Sequence, residues 1–344
     1  MSAGEIRIAD IEAAAARIAG RVRRTPMLSS RTAGRLVAER LGVRIGDGPP
    51  GDGAPRVFVK AEHLQVTGSF KPRGATNRVS QLSADERARG LITISAGNHA
   101  QAVAYAAAAS GVPVTVVMPA RASRSKVAAA IDYGAEVILY GEHVGETLAR
   151  MEEVREERGF IFVHPFDEPA ILEGQGTVGL EIVEDLPQVD VVVVGVGGGG
   201  LITGIASAVK ARRPAARIYG VEPEASNALA LGIAAGVPVR LEPVSIADGL
   251  GAPFAGSLAI EMAGRLLESV VLVDEATIAR GVRFALERMK QLLEPAGAAA
   301  LGAVLAGRIP LRDGETVAVL ASGGNVDLAR LPAILDLAPG DTFG

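Results

Sequence analysis

The chain has 344 residues, enough for a large buried core and for two α/β units with a cleft between them. Hydrophobic residues make up 49% and charged residues 22%, a composition that excludes an intrinsically disordered chain. A net charge of −4 without a long basic block argues against a nucleic-acid face, and the absence of cysteine excludes disulfides, thiolate catalysis and thiolate metal sites.

The opening stretch "MSAGEIRIADIEAAAARIAG" has acidic residues and no basic segment ahead of an apolar core. It does not read as a signal peptide, and a cytoplasmic protein is expected. Ala, Ile and Val at helical spacing predict a helix from about Ile8 to Val22, stopped at Thr25-Pro26, and a second near Arg31 to Leu41. The Gly, Pro and Asp residues of "RIGDGPPGDGAP", Arg44 to Pro55, predict an exposed loop without a catalytic part, ahead of the strand "RVFVKAE".

In "HLQVTGSFKPRGATNRV", Thr67-Gly68-Ser69 marks a turn and Pro72 suits a first helical position. Lys71 is thus expected at the mouth of a helix. The positive end of the helix dipole there disfavours the ammonium and favours the neutral, nucleophilic amine that a covalent lysine requires. Spacing alone leaves open a solvated lysine with no chemical part.

From Leu91 the rhythm is strand then helix: "LITIS" and Asn98 to Ser110, "VTVVM" and Ser123 to Tyr133, "EVILY" and Val144 to Glu157, "FIFVH" and a helix near Glu173 to Glu184. The strand "VDVVVVG" and its helix follow, then "RIYGVE" and, late in the chain, "TVAVLAS". This alternation predicts an α/β protein with mostly parallel sheets covered on both faces and ligands at the carboxyl ends of strands. The uncharged run Val191 to Val209 approaches membrane-spanning length, but its adjacent glycines fit strand, turn and helix better than a lipid-exposed helix.

The glycines Gly197, Gly198, Gly199 and Gly200 lie where a strand passes into a helix, an arrangement that holds phosphate on backbone amides. Gly195-x-Gly197-x-x-Gly200 also matches the dinucleotide fingerprint, with Glu222 closing the next strand as a ribose-binding acid would. An NAD-dependent dehydrogenase or another nucleotide-binding protein therefore stays open on this segment alone, as does a turn that merely packs strand against helix.

Seven stretches settle the comparison: "GSFKPRGA", "SAGNHAQAVAYAA", "HPFDEPAILEGQGTVGLEI", "VGVGGGGLITGI", "SIADGL", "LLEPAGAAAL" and "ASGGNVDL". In this order the chain resembles the fold type II pyridoxal-phosphate enzymes, in the branch of serine/threonine dehydratases and serine racemases, over roughly Thr25 to Leu328. The resemblance implies a fold like that of the tryptophan synthase β subunit, with two three-layer α/β/α domains: a large cofactor-binding domain from 1-80 and 160-344, and a small domain from 81-159. It implies pyridoxal 5′-phosphate as cofactor, a small amino acid as substrate, and a homodimer, with neither nucleic acid nor membrane as partner.

By the same resemblance, Lys71 is the lysine that bonds covalently to the cofactor, Phe70 lies beside it, and Asn98 hydrogen-bonds the cofactor's phenolic oxygen. Gly197 to Gly200, with Leu201, present amides to the phosphate. Ser322 faces the pyridine nitrogen; a hydroxyl there does not favour a protonated ring, which suits eliminating a β-substituent over storing a carbanion. Ser95, Ala96, Gly97, Asn98 and His99 form the substrate carboxylate site, although Ser95 or Asn98 would equally serve as a helix cap. Glu294 and Asn325 read as pocket-wall positions or as helix-start and turn residues. His63, His143 and His164 are expected to be structural or at the surface.

The implied reaction is α,β-elimination of an amino acid of the L-threonine or L-serine type to a 2-oxo acid and ammonia, with Lys71 taking the α-proton. Alternatives are serine racemase, 3-hydroxyaspartate dehydratase and β-replacement. Racemases of this family place a serine one residue after Ser95; here Ala96 has no proton to exchange. Glu222 matches a glutamate that ligates a divalent or monovalent cation in this branch, but Leu229 and Ala230 stand where a second acid is expected. The regulatory domain that biosynthetic threonine dehydratases carry after "ASGGNVDL", and feedback inhibition by isoleucine, are not expected.

Overall fold

A computed structural model describes residues 5–49 and 51–338. In chain order the strands are β1 (Met27–Ser30), β2 (Val57–Lys60), β3 (Leu91–Ile94), β4 (Val114–Met118), β5 (Glu136–Leu139), β6 (Ile161–Phe162), β7 (Val191–Gly195), β8 (Arg217–Pro223), β9 (Ser269–Val273) and β10 (Val317–Leu320). They form a six-stranded sheet in the order β1-β2-β10-β7-β8-β9 and a four-stranded sheet in the order β5-β4-β3-β6. Every pairing is parallel except β1 with β2. The α/β architecture with mostly parallel sheets is therefore what the chain adopts.

β2, β4, β7, β8 and β10 are buried along their whole lengths. Near-continuous Val and Ile runs such as Val191 to Val194 are what a parallel strand covered on both faces requires. One face of the larger sheet packs a core that includes Val193, Val319, Phe284 and Leu301; the other packs Val192, Val194, Ile202 and Ile205.

Several boundaries differ from expectation. The first helix is Ile8–Ile18, and Gly20 at φ +74° turns the chain out of it before Val22. The helix expected from Glu173 begins at Pro169, whose ring suits the first turn. Residues 44–49 and 51–55 are less exposed than expected: Ile45 is buried and bridges Glu315, and Gly46 N donates to the Glu315 carbonyl at 2.8 Å. Asp52 further ties this segment to Arg31 and Arg56.

The chain's distinctive segments all follow carboxyl ends of parallel strands. Lys71 comes after β2, Ser95 to His99 after β3, the glycines after β7 and Ser322 to Asn325 after β10. Among the described residues, no helix is long and apolar enough to cross a membrane.

Candidate active site

Lys71 opens the helix Lys71–Ser80, with Phe70 at the N-cap and Pro72 in the first turn. Its amine donates to the Pro165 carbonyl at 2.8 Å and lies 5.2 Å from the centre of the Phe70 ring. The residue keeps some exposed surface, but its amine is surrounded by protein, and this burial pushes it down to about 8. The direction matches the sequence expectation; the cause is loss of water around the amine.

The helix carrying Lys71 is fixed by a buried ionic network that sequence reasoning missed. Arg73 grips Glu62 through Nε at 2.8 Å and Nη2 at 2.7 Å, and reaches Glu181 through Nη1 at 2.7 Å. Lys60, fully buried, holds the same Glu181 at 2.7 Å and donates to the Thr25 carbonyl at 2.7 Å. Although burial opposes ionisation of Glu62, the Arg73 guanidinium holds its carboxyl below the usual range. The available signal was a lysine and a glutamate in "VFVKAEH", at the end of an otherwise apolar strand and just after it.

The turn after β6 brings the Lys71 amine to the glycine segment. His164 Nδ1 accepts the amides of Phe166 at 3.2 Å and Asp167 at 2.9 Å, which leaves its ring proton on Nε2. Burial lowers His164, and Lys71 nearby adds to that; burial then Lys71 likewise hold His99 well below the usual imidazole range. Both rings flanking the lysine are thus neutral at neutral pH. His164 holds its own turn through those two amides, and its place is beside Lys71.

Phe166 explains one of the glycines directly. A side chain on Gly198 would overlap the Phe166 ring, so the turn and the loop interlock only if position 198 has none. Gly199 adopts φ +89° and starts the helix Gly200–Arg212, which has no side-chain cap. The first amides of that helix, around Gly200 and Leu201, are the kind of donors that hold a phosphate. Gly195 ends β7 and pairs with Val221, outside the loop proper.

Ser95, Gly97 and Asn98 come to the same place from β3. Ser95 Oγ accepts the Gly97 amide at 3.1 Å, and the helix Asn98–Ala108 has no side-chain cap, so neither Ser95 nor Asn98 serves that helix as a cap. A Cβ on Gly97 would meet nothing within 4 Å, so this end of the helix is open to a ligand. His99 is buried, its Nε2 3.2 Å from the Val163 carbonyl. Ala96 lies between Ser95 and Gly97, partly exposed.

Ser322 and Asn325 close the ring of segments. The Phe70 amide donates to the Ser322 carbonyl at 3.1 Å, setting the serine beside the lysine segment, while Ser322 Oγ is 3.4 Å from the Ala296 carbonyl. Asn325 Nδ2 donates to the Thr67 carbonyl at 2.7 Å and to Asn98 Oδ1 at 2.8 Å; Asn98 Nδ2 donates to Glu294 at 2.6 Å.

Glu222 does not join them. Its two oxygens accept the Leu229 and Ala230 amides at 2.8 and 3.0 Å, capping the helix Ala228–Ala235. Burial pushes it up to about 7, against the pull of those amides. Among the described residues, no group of three or more His, Asp or Glu could hold a metal ion. In this structure the Glu222 carboxyl has a helix terminus as its partner.

The assembled residues fit pyridoxal 5′-phosphate. A buried amine of lowered basicity stands ready for an aldehyde, a helix start without a side-chain cap for a phosphate, and an asparagine amide for a ring oxygen. The hydroxyls of Thr67 and Ser69, in the turn leading to Lys71, are buried without a protein partner, a pattern found beside polar ligands.

The family model described as "Pyridoxal-phosphate dependent enzyme" matches residues 22–323. The L-threonine ammonia-lyase of Geobacter sulfurreducens is 42% identical over 330 residues, covering 95% of this chain and 77% of that protein. The catabolic L-threonine dehydratase of Escherichia coli K12 is 40% identical over 332 residues, covering 96% of each. The solved structure of maize serine racemase superposes with a TM-score of 0.85 at 35% identity, covering 95% of this chain and 96% of that one.

Proposed function

The chain belongs to the pyridoxal-phosphate-dependent enzyme family, and on that premise we propose that it is an ammonia-lyase converting L-threonine or L-serine to a 2-oxo acid and ammonia by α,β-elimination. The observation that carries this reading is the Lys71 amine, enclosed and lowered to about 8, at 2.8 Å from Pro165 O and beside the glycine helix start. The relatives that match it over 95% or more of this chain are named as threonine ammonia-lyases and dehydratases.

When bound, pyridoxal phosphate supplies a conjugated electron sink for charge at the substrate α-carbon. In our reading Lys71 would hold the cofactor covalently and, as the free amine, would take the α-proton; burial keeps a sizeable fraction of the amine neutral for this task. The amides of Gly197 to Leu201 hold the phosphate, Phe70 packs beside the ring, Asn98 donates to the ring oxygen, and Ser322 presents a hydroxyl to the ring nitrogen. Ser95 to His99 hold the substrate carboxylate at the open helix start. Ala96 offers no proton on the opposite face, which favours elimination over racemisation. A homodimer in the cytoplasm belongs to the same reading, carried over from the resemblance and tested by sedimentation and by fractionation.

The test is release of ammonia and oxo acid across a panel of L- and D-hydroxy amino acids, with borohydride reduction and peptide mapping of the loaded enzyme. Turnover of L-threonine or L-serine with the label on Lys71 is expected. A label elsewhere, or racemisation without elimination, overturns the proposal.

A further inference from the structure

The contacts of Asn98 point to a part for Glu294. We propose that Glu294 is a positioning residue whose carboxyl, opposite Asn325, holds the Asn98 amide in the orientation that turns an N–H toward the cofactor. This rests on the reading above in one respect: that Asn98 faces the cofactor's ring oxygen.

The orientation follows from a chain of donors and acceptors that begins at the backbone. The Thr67 carbonyl can only accept, so the Asn325 group 2.7 Å from it is the NH2. The same NH2 lies 2.8 Å from Asn98, which must turn its oxygen toward Asn325. Asn98 Nδ2 therefore points the other way, to Glu294 Oε1 at 2.6 Å. One of its two hydrogens is committed to Glu294; the second is left for a ligand.

The position of Glu294 is not explained by its own helix. It is the N-cap of Pro295–Leu305, with extended geometry, yet its side chain makes no cap hydrogen bond. N-caps are typically Ser, Thr, Asp or Asn, and a glutamate that ignores the adjacent amides is spending its carboxyl elsewhere. It is also only 4% exposed, where an ionisable side chain is costly unless a polar partner requires it.

Gly323 supplies an independent sign. A Cβ built there would overlap Glu294 Oε1 and lie 3.2 Å from Asn98 Nδ2. The Glu294 amide also donates to the Gly323 carbonyl at 3.2 Å. A side chain in the middle of "SGGN" would have to displace the Glu294 carboxyl from Asn98. Whether or not Glu294 carries a proton, one oxygen remains an acceptor for Asn98, so glutamine in its place keeps the essential contact.

The experiment uses the full chain titrated with pyridoxal 5′-phosphate, reading the visible band and the dissociation constant, with far-UV circular dichroism as the control for folding. Removing one hydrogen-bond partner predicts binding weakened by about three- to tenfold in Glu294→Ala, with the visible band displaced as in Asn98→Ala. Glu294→Gln is expected to stay within about twofold of the parent, and Glu294→Ala/Asn98→Ala to be no worse than Asn98→Ala alone. Glu294→Met, which removes the acceptor but keeps the bulk, carries the same expectation should Glu294→Ala fail to fold. A parental band and affinity in the foldable member of that pair, with Asn98→Ala altered, overturns the positioning role, as does a glutamine variant as impaired as the alanine one. An Asn98→Ala variant indistinguishable from the parent instead removes Asn98 from the cofactor, and the inference falls with the reading beneath it.

Discussion

The Lys71 amine donates to the carbonyl of Pro165 at 2.8 Å. Phe166, the next residue, fills the space that a side chain on Gly198 would need, and Asp167 accepts the Ser257 amide at 3.1 Å. A single short turn thereby sets the amine, the glycine loop and the start of the helix Ser257–Leu266 relative to one another. Two groups far apart in sequence are held in register by one rigid contact point, as a site acting on a small substrate requires.

Lys71 sits at about 8, below its ordinary value of 10.5. Its reaction with an aldehyde in the cofactor-free chain should rise with pH and level off above about 8, read as borohydride-fixed adduct. Between about 8 and 10.5 the unfolded chain holds this proton and the folded chain does not, so stability should rise with pH across that window, with the full penalty below it. Lys71→Met should remove that contribution to the slope in urea melts.

Arg73→Met leaves Glu62 buried without its principal partner, and a loss of about 3–5 kcal/mol in unfolding free energy is expected. Pairing it with Glu62→Leu should recover part of the loss, because two apolar side chains leave no lone buried charge. Chemical denaturation of the two variants measures both effects.

Gly198→Ala pushes a methyl into the Phe166 ring. Overpacking of this kind costs about 1–3 kcal/mol, and if the loop alone absorbs it, cofactor affinity falls by about tenfold or more. Adding Phe166→Leu should restore part of the affinity in a cofactor titration. No recovery would show that Phe166 does not set the loop.

Glu222→Ala removes the cap from the helix Ala228–Ala235, and thermal melts should show a loss of about 1–2 kcal/mol. Divalent cations should not raise the melting temperature of the parent, since both carboxyl oxygens already accept amides.

Ala96→Ser places a hydroxyl one residue after Ser95, where the racemases of this family carry one. The variant should gain racemisation of serine that the parent lacks, measured by chiral chromatography alongside oxo-acid release. A complete absence of racemisation in a folded, cofactor-loaded variant counts against Ala96 as the reason for elimination.

The sequence carried the reading a long way where chemistry is local. The four glycines after a valine strand, Lys71 before Pro72, and Ser95 to His99 at a strand end were legible because strand, turn and helix start are decided by neighbouring residues. Strand ends also gave the site its general place, since parallel strands deliver their following loops to one edge. The helix starting at Pro169 was placed late, and β1 and β9 were not anticipated, because short strands without clear alternation need their sheet partners to be identified.

What the sequence by itself determined was the set of reactive groups and the α/β frame that carries them, since both follow from residue types and their periodicity. Only the tertiary structure decided which groups meet. Glu222 matched a ribose-binding acid and then a cation ligand in turn, and ended as a helix cap because Leu229 and Ala230 amides reach it first. Glu294 read as a pocket-wall position or a helix start, and its side chain accepts from Asn98; Lys60, Glu62 and Arg73 form one buried network only when β2 and two helices pack together. Hydrogen bonds and ion pairs between residues distant along the chain depend on ångström-scale placement, which packing sets and local propensity does not.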